Sequence, residues 1–356
     1  MTEGKVVHLF IIDKFYPKFI DLIRKKSNLN NSFFLSYGTF NSYPYEEGID
    51  SFHIENGKSF FSKILRYYTI YCYLKKAEKI VLHGFFDYKL SFIFILNPKL
   101  KNKTYWSILG GDLYRFKKKK TTINDYVNEY LRTLVIRKFG HLICSIPGDM
   151  VLAEKWYGAR GTKHRAITYP SNLYKDVENK SNKSNKSNKS ILVGNSADPT
   201  NNHKEILEKL EKLKDENIKI YCLLSYGGNE LYIKDVISYG RNKFGEKFIP
   251  IVDYMSFQDY FEWLSEIDIA FFAHNRQQAV GNIVSLLGMG KSVYMKKNTT
   301  HYDYFESLDL VIRDINCYIT FENLTIDEKL LNNNVDIIKS TFSEENLIKE
   351  LEHVLG

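Results

Sequence analysis

The sequence predicts an α/β protein of two domains, each built on an open parallel sheet. Three observations carry this. Apolar, β-branched runs alternate with helical stretches along the whole chain. That alternation restarts midway, at SILV in 190–193. Between the two series lies NKSNKSNKSNKS at 179–190, a three-residue repeat with no apolar member. Such a segment buries no surface and reads as a solvated linker. At 356 residues the chain exceeds one ordinary core and suits two. The expected division is 1–175, a linker at 176–190, and 191–356, with the last helix available to pack back on the first domain.

In the first half, KVVHLFII at 5–12 reads as a buried strand, because parallel strands covered on both faces are apolar without alternation. A helix at 15–27 and strands at 32–37 and 51–54 follow. FFSKILRYYTIYCYLKK at 60–76 reads as a helix and KIVLHG at 79–84 as a strand. LSFIFIL at 90–96 has the length of a core helix, short of the ~20 residues of a membrane span. KTYWSILGGD at 103–112 is a strand ending on a glycine pair. A helix at 123–138, a strand at 141–145, a helix from Pro147 and a last strand in HRAITYPS at 164–171 complete the series.

The second half repeats the theme. Strands are expected at 190–196, 218–227, 246–252, 268–273 and 291–296. Helices are expected at 201–214, 229–242, 256–265, 281–288 and, amphipathic, within 325–355. Two such sheets facing each other describe the GT-B architecture, with ligands in the crevice at the strands' carboxyl ends.

Composition narrows the function. The net charge of +8 fits an anionic partner: nucleotide phosphates, nucleic acid or a membrane surface. No nucleic-acid motif is present and the lysine runs are short, so nucleic acid is set aside. Aromatic residues reach 15 %, more than two cores can bury with every phenol satisfied. Cys72, Cys144, Cys222 and Cys317 are far apart and form no CxxC pair, which argues against structural zinc and for reduced thiols. The N-terminus lacks a signal-peptide core. A cytoplasmic protein, soluble or peripherally attached to a membrane, is expected.

The chemistry-bearing residues follow strand ends. In ILVGNSADPTNNH, Gly194, Asn195 and Ser196 close an apolar strand and precede a helix, a place that suits an anion; plain capping is the competing reading. In LLSYGGNELY, Ser225, Tyr226 and Gly227 stand likewise. Tyr254, in FIPIVDYMSF, could stack on a nucleobase, with a core or interface tyrosine as the competing reading. AHNRQQAVGNIVS puts Arg276, Gln277 and Gln278 ahead of Gly281-Asn282 and a helix. Arg276 could take a diphosphate bidentately, with a surface ion pair as the competing reading. Many GT-B enzymes carry two Glu residues eight apart here; Gln277 and Ser285 have that spacing instead. In the first half, His83 and Asp112 follow strands and would face the cleft, where either could take a proton from an acceptor hydroxyl. Structural and capping roles compete for both. The helix at 60–76 interleaves aromatics with Lys63, Arg66, Lys75 and Lys76, and Lys117–Lys120 adds a basic run; the pair suits an anionic membrane.

VLHGFFDY, LGGDLYRF, TYPSNLY, ILVGNSADPTNNH, SYGGNELYI and NRQQAVGN occur in this order. As a set they resemble the TDP-N-acetylfucosamine:lipid II N-acetylfucosaminyltransferase family, the 4-alpha-L-fucosyltransferases, over about residues 79–310. The resemblance implies a GT-B enzyme peripheral on the inner face of the bacterial cytoplasmic membrane. It would move 4-acetamido-4,6-dideoxygalactose from a dTDP donor to a polyprenyl-diphosphate glycan of enterobacterial common antigen or O-antigen. Direct displacement with no cofactor and no metal is expected, since no DxD motif occurs. Another donor, such as a fucosyl nucleotide, or an epimerase of the same architecture acting on a nucleotide sugar, stands as the alternative.

Overall fold

The structure, a computed structural model, describes residues 2–176 and 188–356. Most of the Asn/Lys/Ser repeat read as a linker lies outside the described residues. The chain divides into two compact units, Met1–Ser171 with Glu344–Gly356, and Asn172–Ser343.

The first unit runs β1 (Val6–Ile11), α1 (Tyr16–Lys26), β2 (Ser32–Tyr37), β3 (Ser51–Ile54), α2 (Phe60–Lys76), β4 (Lys79–His83), α3 (Leu90–Leu96), the single turn α4 (Lys99–Asn102), β5 (Thr104–Ser107), α5 (Ile123–Ile136), β6 (His141–Cys144), α6 (Pro147–Tyr157) and β7 (Thr162–Arg165). The seven strands are parallel in the order β3-β2-β1-β4-β5-β6-β7. The chain therefore winds outward to β3, returns to pair β4 with β1, and winds out the other way. Local signals set the ends. Ser59 caps α2 through the Ser62 N–H; Thr122 and Asp125 form a capping box on α5; Gly158, left-handed at φ +66°, ends α6.

The second unit runs β8 (Lys189–Val193), α7 (His203–Leu210), β9 (Ile218–Leu223), α8 (Glu230–Phe244), β10 (Phe248–Ile251), α9 (Phe257–Ser265), β11 (Ile269–Phe272), α10 (Val280–Gly288), β12 (Ser292–Met295), α11 (Thr300–Ser307), β13 (Arg313–Asp314) and α12 (Glu328–Thr341). Its six parallel strands order as β10-β9-β8-β11-β12-β13. Ile191, Val193, Ile220, Cys222, Ile269 and Phe271 are fully buried between the helical layers. The last helix, α13 (Glu344–Leu355), belongs to the first unit. Its Glu350 pairs with Arg165 and accepts the Ile167 N–H at 2.7 Å, and Lys79 donates to the Leu355 carbonyl at 2.8 Å.

Several expected strands run too far. β5 stops at Ser107 and β9 at Leu223, because the residues beyond them turn into loops. The helical C-terminal stretch is two helices broken at Phe342–Ser343. Helix α11 and strand β13 were not expected at all.

Candidate active site

Sheet order marks a candidate site in the second unit. The chain reverses its winding between β8 and β11, which lie side by side, and the loops leaving two such strands diverge to open a crevice. Those loops are 194–202 and 273–279, the two stretches that carry the strongest polar signals.

The first loop is knitted by Asn201, which is fully buried. Its Oδ1 accepts the Asn195 N–H and His274 Nε2, both at 2.8 Å. Its amide donates to Ser196 Oγ at 3.1 Å and to the Asp198 carbonyl at 3.0 Å. Gly194 is left-handed at φ +70°, and a Cβ there would lie 2.5 Å from His203 Nε2. The glycine thus admits His203, rather than the approach of a ligand that the sequence reading gave it. Ser196 is likewise turned inward, 3 % exposed, and serves the loop. The 225–228 loop closes on this one. Ala197 N–H donates to the Tyr226 carbonyl at 2.6 Å, and a Cβ on Gly228 would lie 2.3 Å from the Ala197 carbonyl oxygen.

A chain of polar side chains lines the mouth. Asn195 reaches the Tyr226 hydroxyl at 3.4 Å and accepts from Gln278 at 3.3 Å. Thr200 Oγ1 donates to Gln278 Oε1 at 2.9 Å and accepts from Arg276 at 3.4 Å. Arg276 also approaches Asp198 at 3.9 Å and the Gln277 carbonyl at 3.3 Å. These are long contacts for a guanidinium, whose charge-assisted bonds are ordinarily 2.7–2.9 Å. Five of the expected residues therefore share one cluster: Asn195, Tyr226, Arg276, Gln277 and Gln278. Ser225 and Gly227 lie on the adjoining loop. Tyr254, 77 % exposed, stands near enough for its charge to raise the Tyr226 phenol, which burial raises more.

Helix α10 begins one residue earlier than expected, at Val280, so Gly281-Asn282 falls inside its first turn. Its N-cap is Ala279, left-handed at φ +59°, with no side chain to cap the helix. Alanine is a poor cap and a strained left-handed residue. The N-cap residue therefore does nothing to offset the helix dipole, and the Arg276–Gln278 segment leads directly to this helix start.

Two members of the cluster carry no local signal in the sequence. Thr200 and Asn201 sit in the quoted PTNNH stretch, yet nothing in their identity announces which of them bonds to which loop.

In the first unit, His83 and Asp112 are interior groups. His83 is 2 % exposed; its Nε2 lies 3.0 Å from His8 Nδ1 and its Nδ1 lies 2.6 Å from the Tyr169 hydroxyl. Burial, then the neighbouring His8, pushes its pKa well below the ordinary imidazole value, so it is neutral. Asp112 is fully buried. Oδ2 accepts the Phe85 N–H at 2.8 Å and Trp106 Nε1 at 2.7 Å; Oδ1 accepts the Leu109 N–H at 3.0 Å. It clasps the turn after β5 rather than capping a helix, and direct proton acceptance by either residue would require these bonds to break.

The four cysteines are free thiols, with Cys144 and Cys222 buried. Among the described residues no group of three His, Cys, Asp or Glu is placed to hold a metal ion, and no helix is long and apolar enough to cross a membrane.

Solved structures share this architecture end to end. Anabaena HepE in complex with UDP matches with a TM-score of 0.69 at 11 % identity, over 99 % of each chain. A glycosyltransferase from Rickettsia africae matches at 0.67 and 12 %, over 100 % of this chain and 98 % of its own. WaaG, a glycosyltransferase involved in lipopolysaccharide biosynthesis, matches at 0.60 and 12 %, over 98 % of each chain. Two parallel-sheet units of this topology, in that company, are the GT-B fold, and the family match makes the protein a glycosyltransferase of the hexosyl-transferring kind. Within that class it belongs to the 4-alpha-L-fucosyltransferase family, glycosyl transferase group 56, whose model matches residues 62–352.

Proposed function

We propose that the enzyme transfers a 6-deoxyhexose of the acetamido type, 4-acetamido-4,6-dideoxygalactose, from its dTDP donor to a polyprenyl-diphosphate-linked glycan in surface-polysaccharide assembly. The second unit holds the donor and the first the acceptor. The observation that carries the donor half is the cluster at the β8/β11 switch point. There Arg276 leads into the uncapped start of α10, so a cation, a helix dipole and the amides of Asn195 and Gln278 are available to one diphosphate. The UDP held by the Anabaena structure supports a nucleotide donor for this architecture. Tyr226 and Tyr254 supply aromatic faces for the base. Thermal-shift measurement with dTDP-, UDP- and GDP-sugars tests the reading. A donor at a hundred times its Kd stabilises by about 2.7 kcal/mol, and a larger shift with UDP or GDP donors than with dTDP donors would reassign the base.

The acceptor half rests on the helical layer formed by α2, α3 and α5, in which α3 packs between the other two. Its outer surface leaves Phe60, Phe61, Ile64, Leu65 and Tyr68 of α2 exposed, with Leu96 of α3 and Ile123, Tyr126 and Tyr130 of α5. Phe61 is 81 %, Leu96 83 % and Ile123 82 % exposed. Residues 58–138 carry eighteen Lys and Arg against five Asp and Glu, more excess charge than the +8 of the whole chain. Aromatics among cations suit the headgroup region of an anionic bilayer. Lys63, Lys118 and Lys119, all exposed, changed together to Glu should release the protein from anionic vesicles. Each charge near such a surface is worth about 1 kcal/mol, so partitioning falls by at least a hundredfold or so. The donor-induced thermal shift should stay as it was, and unaltered vesicle binding would refute the membrane role.

A further inference from the structure

Behind the cluster lie two histidines that the donor reading does not use. His274 follows β11 and is fully buried; Nε2 meets Asn201, while Nδ1 has no hydrogen-bond partner. His301 is the second residue of α11, also fully buried, and neither of its ring nitrogens has a partner. The two rings lie 6.4 Å apart. Buried polar atoms in folded proteins are almost always satisfied by protein or ordered water, so three unmatched imidazole nitrogens side by side need an explanation. Their surroundings point one way. Burial holds His301 down to about 3 and His274 well below the ordinary value; His301 adds to the shift on His274, and the Arg276 charge disfavours protonation of both. Both imidazoles are therefore neutral, each with one donor N–H and one acceptor nitrogen. The start of α11 adds its dipole. Its N-cap Thr299 turns its hydroxyl to the Lys296 carbonyl at 2.8 Å and so makes no cap bond to the helix.

Resting on the placement of the donor diphosphate at Arg276, we propose that His301 is a further donor-binding residue, whose imidazole N–H donates a hydrogen bond to a phosphoryl oxygen, with His274 lining the same pocket. A neutral donor beside a cation suits this place. It satisfies an oxygen that Arg276 does not reach, without burying a second positive charge next to the guanidinium. The two unmatched nitrogens of His301 also make a hydrophobic packing role costly, since leucine or phenylalanine would fill that space with nothing left unsatisfied.

The test uses whichever of dTDP, UDP and GDP gives the largest thermal shift, set against the corresponding bare nucleoside. With histidine side chains labelled by nitrogen-15, the nucleotide should move the ring-nitrogen resonances of His301 in the wild-type protein, and the nucleoside should not. His301→Leu should weaken nucleotide binding roughly tenfold, the size of one good hydrogen bond, and leave nucleoside binding alone. His301→Gln, which keeps an N–H donor, should recover part of the loss. If the nucleotide binds and the His301 resonances stay still, or His301→Leu binds the nucleotide as tightly as wild type, the inference falls while the Arg276 reading stands. If Arg276→Ala keeps full preference for nucleotide over nucleoside, the placement of the diphosphate falls, and this inference with it. Failure of all three nucleotides to bind overturns both. A His301→Leu protein that does not fold leaves the wild-type resonances to decide.

Discussion

Arg276→Ala lowers turnover about 10²–10³-fold, the loss seen when one donor to developing charge is removed, and weakens nucleoside diphosphate binding by more than it weakens nucleoside binding. Arg276 follows β11 on the loop that diverges from the β8 loop, and its contacts to Thr200, Asp198 and the Gln277 carbonyl are 3.3–3.9 Å. A guanidinium can pair bidentately with a phosphate at the shorter charge-assisted distance of about 2.7–2.9 Å. The leaving diphosphate gains charge as the glycosidic bond breaks, so the interaction strengthens toward the transition state and appears in kcat as well as in affinity. In the ground state the loss of a charge-assisted bond amounts to roughly 1.5–3 kcal/mol. Arg276→Lys should recover only part of the activity, since a point charge cannot reproduce the planar fork. The side chain is partly exposed and lies on a loop outside the two hydrophobic layers, so the melting curve should scarcely move. Equal weakening of nucleotide and nucleoside, or of neither, would show that the diphosphate lies elsewhere.

The fold was legible because its strands are covered on both faces. KVVHLFII, KIVLH and DIAFFA are apolar without alternation, and strand–helix alternation with one restart permits little besides two parallel sheets. What escaped were elements without a strong period. Helix α11, THYDYFES, mixes buried His301, Tyr302, Tyr304 and Phe305 with polar residues that mask its apolar face, and β13 has only two residues. The candidate site was legible to the level of its loops. Residues at strand ends are exposed to a crevice by topology alone, and this rule brought Asn195, Tyr226, Arg276 and Gln278 together. It could not separate residues that face the crevice from those that build its wall. Gly194 and Ser196 have the composition of a phosphate loop, yet one accommodates His203 and the other ties down Asn201. Asn201 and His301 depend on contacts with residues some seventy or more positions away, or on having none, and neither is written in local pattern.

Asp112→Asn is expected to act on stability. The carboxylate takes three buried N–H donors, from Phe85 and Trp106 on Oδ2 and from Leu109 on Oδ1. An asparagine has one acceptor oxygen and one amide nitrogen. In one orientation its NH₂ faces Leu109; in the other it faces both Phe85 and Trp106. At least one buried donor is therefore stranded against another donor, and the remaining bonds lose their charge. A stranded group costs about 1–3 kcal/mol and the charge-assisted bonds are the stronger kind, so a total near 2–4 kcal/mol is expected. For a unit of this size that lowers Tm by roughly 5–12 °C. The damage should centre on the fully buried Trp106, whose indole N–H loses its charged partner, and near-ultraviolet circular dichroism should report it. Turnover of the folded protein at low temperature should stay within a few-fold of wild type, because the clasp faces the interior of the first unit. Asp112→Ala should be worse still, leaving all three donors bare over a small cavity. The opposite pattern is equally definite. A variant as stable as wild type, with turnover down about 10²–10⁴-fold, would mean that the carboxylate leaves its clasp to take the acceptor proton, and Asp112 would then be the general base.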